Sequence, residues 1–131
     1  MHYIGRINRN IYRGITNEKI ITDEVIITDN RIQHIIERRG KEFYEQYHKY
    51  FCEIVENPDY IFKDKVENTA IVSKTITHNG ENINLVIRIV VEGDDKKYKN
   101  SIITAIKENS KRFRQRLRNN RPIYKNVDIN E

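Results

Sequence analysis

The sequence predicts an α+β fold, with an N-terminal hairpin and two helices packed on an antiparallel β-sheet. Three observations carry that prediction. Apolar residues recur at helical spacing between Ile32 and Val55, and the period changes to two between Thr69 and Val91. Helices and strands are grouped in the chain rather than alternating, which favours antiparallel pairing. The 131 residues suffice for one modest core without staples, so the chain is read as a single domain over 1–131.

Residues 3–16 (YIGRINRNIYRGIT) hold two short alternating runs around Asn8-Arg9-Asn10 and read as a hairpin, with Gly5 and Gly14 at bulge or bend positions. Val25-Ile26-Ile27 follows as a short strand. Thr28-Asp29-Asn30 supplies N-cap chemistry for a helix whose stripe is Ile32, Ile35 and Ile36, ending near Gly40. A second helix is expected from Lys41 to Glu56, with Tyr44, Tyr47, Phe51, Ile54 and Val55 on one face and Asn57-Pro58 as its stop. Tyr60-Ile61-Phe62 reads as a short strand and Thr69–Thr77 as a longer one. Asn79-Gly80 is a strong hairpin turn signal, and Ile83–Val91 is the return strand. Its Ile83, Leu85, Ile87 and Ile89 share one face, and Asn82, Asn84 and Arg88 the other. Ser101–Ile106 is read as a strand for its β-branched density. Ser110–Arg118 is a basic helix anchored by Phe113 and Leu117, and Ile123-Tyr124 adds an edge strand. Residues 128–131 read as a frayed tail.

The net charge of +5 conceals an asymmetry. Between Lys107 and Lys125 eight bases stand against one acid, Glu108, so the remainder of the chain is slightly acidic. One basic segment on a near-neutral body is the electrostatic footprint for a polyanion. Its arginines favour phosphate, because the guanidinium fork matches phosphate oxygens bidentately. The alternative is a solvated helix face. No apolar run is long enough to span a bilayer, and no secretory signal is visible, so a soluble domain is expected. The single cysteine, Cys52, sits in an apolar-periodic stretch and reads as a small buried hydrophobe.

The four histidines, His2, His34, His48 and His78, share no ligand-like spacing, and no metal site or cofactor motif is visible. His34 is the most informative of them. On its helix Arg31 is three residues before it and Arg38 four after, so the three can be neighbours. Like charge on the arginines favours the neutral imidazole, which can serve as a general base or join the arginines on a phosphate. A surface histidine on a basic helix is the plainer alternative. Ser101 and Thr104 bracket two isoleucines. A regular strand would put their hydroxyls on opposite faces, and a helical turn on one. Lys74 and Arg88 are candidates to project from the sheet toward a polyanion, or simply solvated strand residues.

Four stretches together resemble a known family: DEVIITDNRIQHIIERR (23–39), EIVENPDYIFKD (53–64), NLVIRIV (84–90) and KNSIITAIKE (99–108). They are similar to the phage-associated branch of the BECR nucleases, named for barnase, EndoU, colicin and RelE, over about residues 23–125. The resemblance implies a metal-independent endoribonuclease of toxin or effector type with no cofactor. The matching positions are His34 and Arg38 in the helix motif and Ser101 and Thr104 in NSIIT. The chain departs from the pattern at Arg39, where a histidine is common.

RNA carries its own nucleophile, the 2′-OH. The implied reaction is therefore transesterification to a 2′,3′-cyclic phosphate, which needs a base near neutral pKa and fixed cations. His34 would be base or acid. Arg38, with Arg39, would hold phosphate oxygens, and Ser101 or Thr104 would orient the phosphate. Lys74 or Tyr124 would be the second proton-transfer group. Arg31, Arg88, Lys111, Arg112, Arg114, Arg116 and Arg118 would bind RNA, with tRNA a family expectation. An acidic antitoxin or immunity protein is the implied partner, and the cytoplasm, of the producing or a target cell, the implied location. A non-catalytic RNA-binding module and a protein-interaction domain of a phage particle remain alternatives at this level. A DNA-binding regulator lacks a helix-turn-helix.

Overall fold

The computed structural model of the chain describes residues 1–76 and 80–128. Thr77 of the expected strand, His78, Asn79 of the expected turn and the tail 129–131 lie outside the described residues. Seven strands form one sheet: β1 (His2–Arg6), β2 (Glu24–Ile27), β3 (Tyr60–Lys63), β4 (Thr69–Thr75), β5 (Asn82–Arg88), β6 (Asn100–Glu108) and β7 (Tyr124–Lys125), in the order β1-β2-β6-β5-β4-β3-β7. Every pairing is antiparallel except β2 with β6, so the sheet is mixed. The α+β class stands, with the expected meander running from β3 to β6.

The helices are α1 (Arg9–Tyr12), α2 (Asp29–Arg39), α3 (Lys41–Tyr47), α4 (Phe51–Glu56) and α5 (Ser110–Asn119). The hairpin expected over residues 3–16 is corrected. Asn8 accepts a hydrogen bond from the Asn10 amide and caps α1, which a 3₁₀ turn over Arg13–Ile15 continues. Tyr12 and Ile15, three residues apart, are both fully buried, which is helical rather than strand spacing. The Tyr12 hydroxyl donates to the Val55 carbonyl at 2.8 Å. The true partner of β1 is β2, with a register shift between Tyr3 and Gly5. A Cβ at Gly5 would lie 2.9 Å from Glu56 Oε2 and 3.2 Å from Cys52 Sγ, so those side chains would have to give way to any larger residue.

The second expected helix, Lys41–Glu56, is instead α3 and α4 joined by a 3₁₀ turn over His48–Tyr50. Apolar periodicity does not distinguish the two, since i, i+3 neighbours share a face in either helix. Cys52 is also corrected, being exposed on α4 while its neighbours Phe51, Ile54 and Val55 turn inward. Partial burial and then the Glu56 carboxylate push its thiol upward, an unreactive setting.

The main core fills one face of the sheet, under α1, α2 and α4, with Val25, Ile27, Val72, Ile83, Leu85, Ile87 and Ile102. A smaller apolar cluster lies on the other face, where Phe113 of α5 (6% exposed) packs on Tyr60 and Phe62 with Ile71 and Leu117. Burying that one phenyl ring contributes about 1.5–3 kcal/mol to docking α5. Phe113 and Leu117 pack α5 over β3 and β4, and Arg116 ties it to Glu108 at the C-terminal end of β6, while the β5–β6 surface around Val86, Arg88, Ser101 and Thr104 stays only half-buried. We call this surface the open face.

Candidate functional site

An irregularity in β6 defines the open face. The β5–β6 register passes from Val86 opposite Thr104 to Ile87 opposite Ile102, which leaves Ile103 as the extra residue of a bulge. In a regular strand Ser101 and Thr104 would face opposite ways. The added residue restores them to the same face, away from the buried Ile102 and Ala105. Ser101 lies opposite Arg88 of β5 and Ile26 of β2. The Thr104 hydroxyl oxygen is shielded from solvent and has no hydrogen-bond partner among the described residues.

The other edge of β6 belongs to α2. β2 pairs with β6 only at Asn100 and Ser101, and beyond that point α2 packs beside the strand. The Thr28 hydroxyl caps the helix by accepting from the Arg31 amide at 3.3 Å, and the Gly40 amide, at φ 100°, donates back to Ile36. Ile35 is buried, and Arg39 Nε donates to the Ala105 carbonyl at 3.3 Å, closing part of the free strand edge. Thr28 lines a cavity of about 400 Å³ with Ser101. At the other end Arg38 and Arg39 line a second concavity, of about 720 Å³, with Ile106 and Lys107. So α2 runs alongside β6 in the same direction, from the first cavity to the second. At about 100° per residue, Arg31, His34 and Arg38 occupy one flank of Ile35, and Ile32 and Ile36 the other. Arg31 and His34 are half-buried and Arg38 is exposed. None of these three side chains is engaged by a described residue.

Next to the open face, beneath α5, a chain of polar groups crosses from β4 to β6. Ser73 Oγ donates to Asn84 Oδ1 at 2.6 Å, the Asn84 amide donates to Glu108, and Arg116 grips both Glu108 oxygens at 2.9 and 3.1 Å. Burial raises the Glu108 carboxyl, but the bonds from Arg116 and Asn84 and the nearby Arg112 charge outweigh it and hold the group below its ordinary range. Arg116 is thereby committed to holding α5 on the sheet. Lys111, Arg112, Arg114 and Arg118 are exposed, and apart from the charge of Arg112 acting on Glu108 their side chains have no partner among the described residues.

Two expected participants stand elsewhere. Lys74 lies opposite Ile83, on the core face, where its ammonium donates to the Asn57 carbonyl at 2.7 Å and pairs with Asp59 at 3.4 Å. Tyr124 lies opposite Ile61 and packs against the main core, four strands from β6, or roughly 19 Å at the usual strand spacing. Neither shares a face with Ser101 and Thr104. Arg88 is on the open face but is held by the Ile89 carbonyl and by Asp94 at 3.6 Å. Sequence reasoning missed Ser73, Asn84 and Glu108, whose signal was the run of amides in β5 and the one acid of the basic segment.

Among the described residues no three His, Cys, Asp or Glu side chains cluster as a metal site would require, and no helix is long and apolar enough to cross a membrane. A family model described as phage-Barnase-EndoU-ColicinE5/D-RelE like nuclease2 matches residues 5–125. Comparison with curated proteins and with solved structures gives no match.

Proposed function

From the premise that this chain belongs to the phage-Barnase-EndoU-ColicinE5/D-RelE like nuclease family, we propose that it is a metal-independent endoribonuclease whose reaction runs on the open face between α2 and β6. The observation that carries this reading is the bulge at Ile103, which turns Ser101 and the unpartnered Thr104 hydroxyl to one face beside α2. Helix sense supports it. With α2 parallel to β6 and Ile35 in the core, a right-handed helix turns its Arg31–His34–Arg38 flank toward that same face.

In this reading His34 takes the 2′-OH proton as the O2′–P bond forms. The P–O5′ bond breaks, and the 5′ oxygen leaves with a proton from solvent, giving a 2′,3′-cyclic phosphate and a 5′-OH. Arg31 and Arg38 hold the non-bridging oxygens as charge builds on the phosphorane. Ser101 donates to the phosphate, and Thr104, whose hydroxyl is shielded from solvent in the free chain, joins it by rotating outward on binding. Arg39 positions α2 through the Ala105 carbonyl. Lys111, Arg112, Arg114 and Arg118 supply salt-dependent affinity rather than sequence choice. A toxin or effector role in the cytoplasm, a target such as the unpaired loop of a structured RNA, tRNA among them, and an acidic inhibitor covering the basic face accompany this reading.

The tie between Arg39 and the Ala105 carbonyl favours a second reading. A structural arginine where the family pattern has a histidine suits a module that binds RNA without cutting it. An RNA oligomer with a single 2′-deoxy position separates the two. The nuclease reading expects cleavage 3′ of every accessible nucleotide except the substituted one, with cyclic phosphate ends. Binding without product would leave only the second reading.

A further inference from the structure

We propose that the cavity at the N-terminal end of β6 is a subsite for one unpaired nucleobase, stacked on Tyr98, so that the substrate is single-stranded RNA. This rests on the ribonuclease reading for its biological meaning but on separate residues for its geometry. The cavity, of about 400 Å³, is lined by the apolar Ile26 and Val90 and by the polar Ser101 and Arg88, the latter paired with Asp94, which also lines it. Its volume suits one nucleotide and no duplex. Exposed aromatic side chains stand at and near it. Tyr98, 63% exposed, lines the cavity, and Tyr3, 59% exposed, stands opposite Ile26 on the neighbouring strand.

The loop fixes the backbone that carries Tyr98 before any ligand arrives. Asp95 Oδ1 accepts the Lys97 amide at 2.9 Å, and the Asp95 carbonyl accepts the Tyr98 amide at 3.0 Å. The Lys97 ammonium has no partner among the described residues, while Lys99 is paired with Glu24. An aromatic face beside a free cation and an apolar lining is the chemistry that recognises a base and its phosphate. Bases inside an A-form helix are stacked away and present no face to such a site. The cavity shares Ser101 with the reaction site, so the base it takes belongs to a nucleotide next to the cleaved phosphate.

The test is binding, uncoupled from cleavage. Dissociation constants are measured for a fully 2′-O-methylated octanucleotide, single-stranded or annealed to its complement, with the native chain, Tyr98→Ala and Tyr98→Phe. Tyr98→Ala should weaken single-strand binding about 10-fold, the effect of losing one base stack, while Tyr98→Phe stays within about twofold of the native chain. Duplex binding should be weaker and indifferent to both substitutions. Equal single-strand affinity for Tyr98→Ala and the native chain, or an equal loss in Tyr98→Phe, overturns the subsite. Cleavage of unmodified RNA is scored separately. A Tyr98-dependent binder that never cleaves supports the subsite and overturns the ribonuclease reading. Cleavage with Tyr98-independent binding does the reverse.

Discussion

Replacing Thr104 by valine separates a hydroxyl kept for function from one kept for folding. The Thr104 hydroxyl oxygen is shielded from solvent and has no partner among the described residues. Burying a hydroxyl without a hydrogen bond costs about 1–3 kcal/mol on mutational scales. Valine replaces that oxygen by a methyl of nearly the same shape, so the cost disappears without leaving a cavity. Thr104 as a whole is only half-buried, which argues for the lower end, a gain of about 1 kcal/mol. For a chain of this size such a gain raises the midpoint of thermal unfolding by about 4 °C. If the hydroxyl donates to the scissile phosphate, the same variant loses a bond made to a charged oxygen, worth about 1.5–3 kcal/mol. Its cleavage rate should then fall about 10- to 100-fold. Thermal melts and single-turnover cleavage on the same preparations give both numbers. A destabilised Thr104→Val variant, or one that cleaves at the native rate, would refute the reasoning.

The Glu108–Arg116 clamp makes a pH-dependent prediction. The Glu108 carboxyl is held below its ordinary range in the folded chain. Its contribution is therefore complete above the unfolded carboxyl value and is lost as pH falls through the folded one. Glu108→Gln should cost about 1–2 kcal/mol at pH 7 in urea unfolding, discounted because Arg116 is partly exposed. The gap to the native chain should close as pH falls below the ordinary carboxylate range, and a gap constant with pH would show that the charge is not what matters. Charge reversal of Arg114 and Arg118 together should leave stability within about 0.5 kcal/mol. It should also flatten the dependence of RNA affinity on log salt by about 0.7 for each phosphate that is no longer neutralised. An unchanged slope would remove these arginines from the interface. Arg116→Gln should instead destabilise the fold.

Helix α2 was legible in the sequence because every signal agreed: Thr28 at the cap, isoleucines at i, i+3, i+4, and Gly40 at the end. Helix α5 was legible from Phe113 and Leu117 alone, since a highly charged segment with two apolar anchors four residues apart has one way to dock. The bulge at Ile103 was not. Ser-Ile-Ile-Thr reads the same with or without it, and only the partner strand shows that two residues oppose one. The N-terminal hairpin failed for a related reason. The alternation around Asn8 was real, but Asn8 capped a helix, and the burial of Tyr12 decided its direction. Reading Lys74 as a projecting cation was a register problem, because one strand position separates a solvated face from the core. The Ser73–Asn84–Glu108 chain crosses three strands, so no local pattern announces it.

The central claim is that His34 performs proton transfer on RNA. The most direct test is incubation of the purified chain and His34→Ala with total bacterial RNA in EDTA, with fragment ends identified and binding measured alongside. The account predicts discrete fragments ending in 2′,3′-cyclic phosphate with the native chain. With His34→Ala it predicts cleavage lower by at least about 100-fold, in line with the loss of a general base, and RNA affinity within about threefold of native. Cleavage by His34→Ala at the native rate would contradict it.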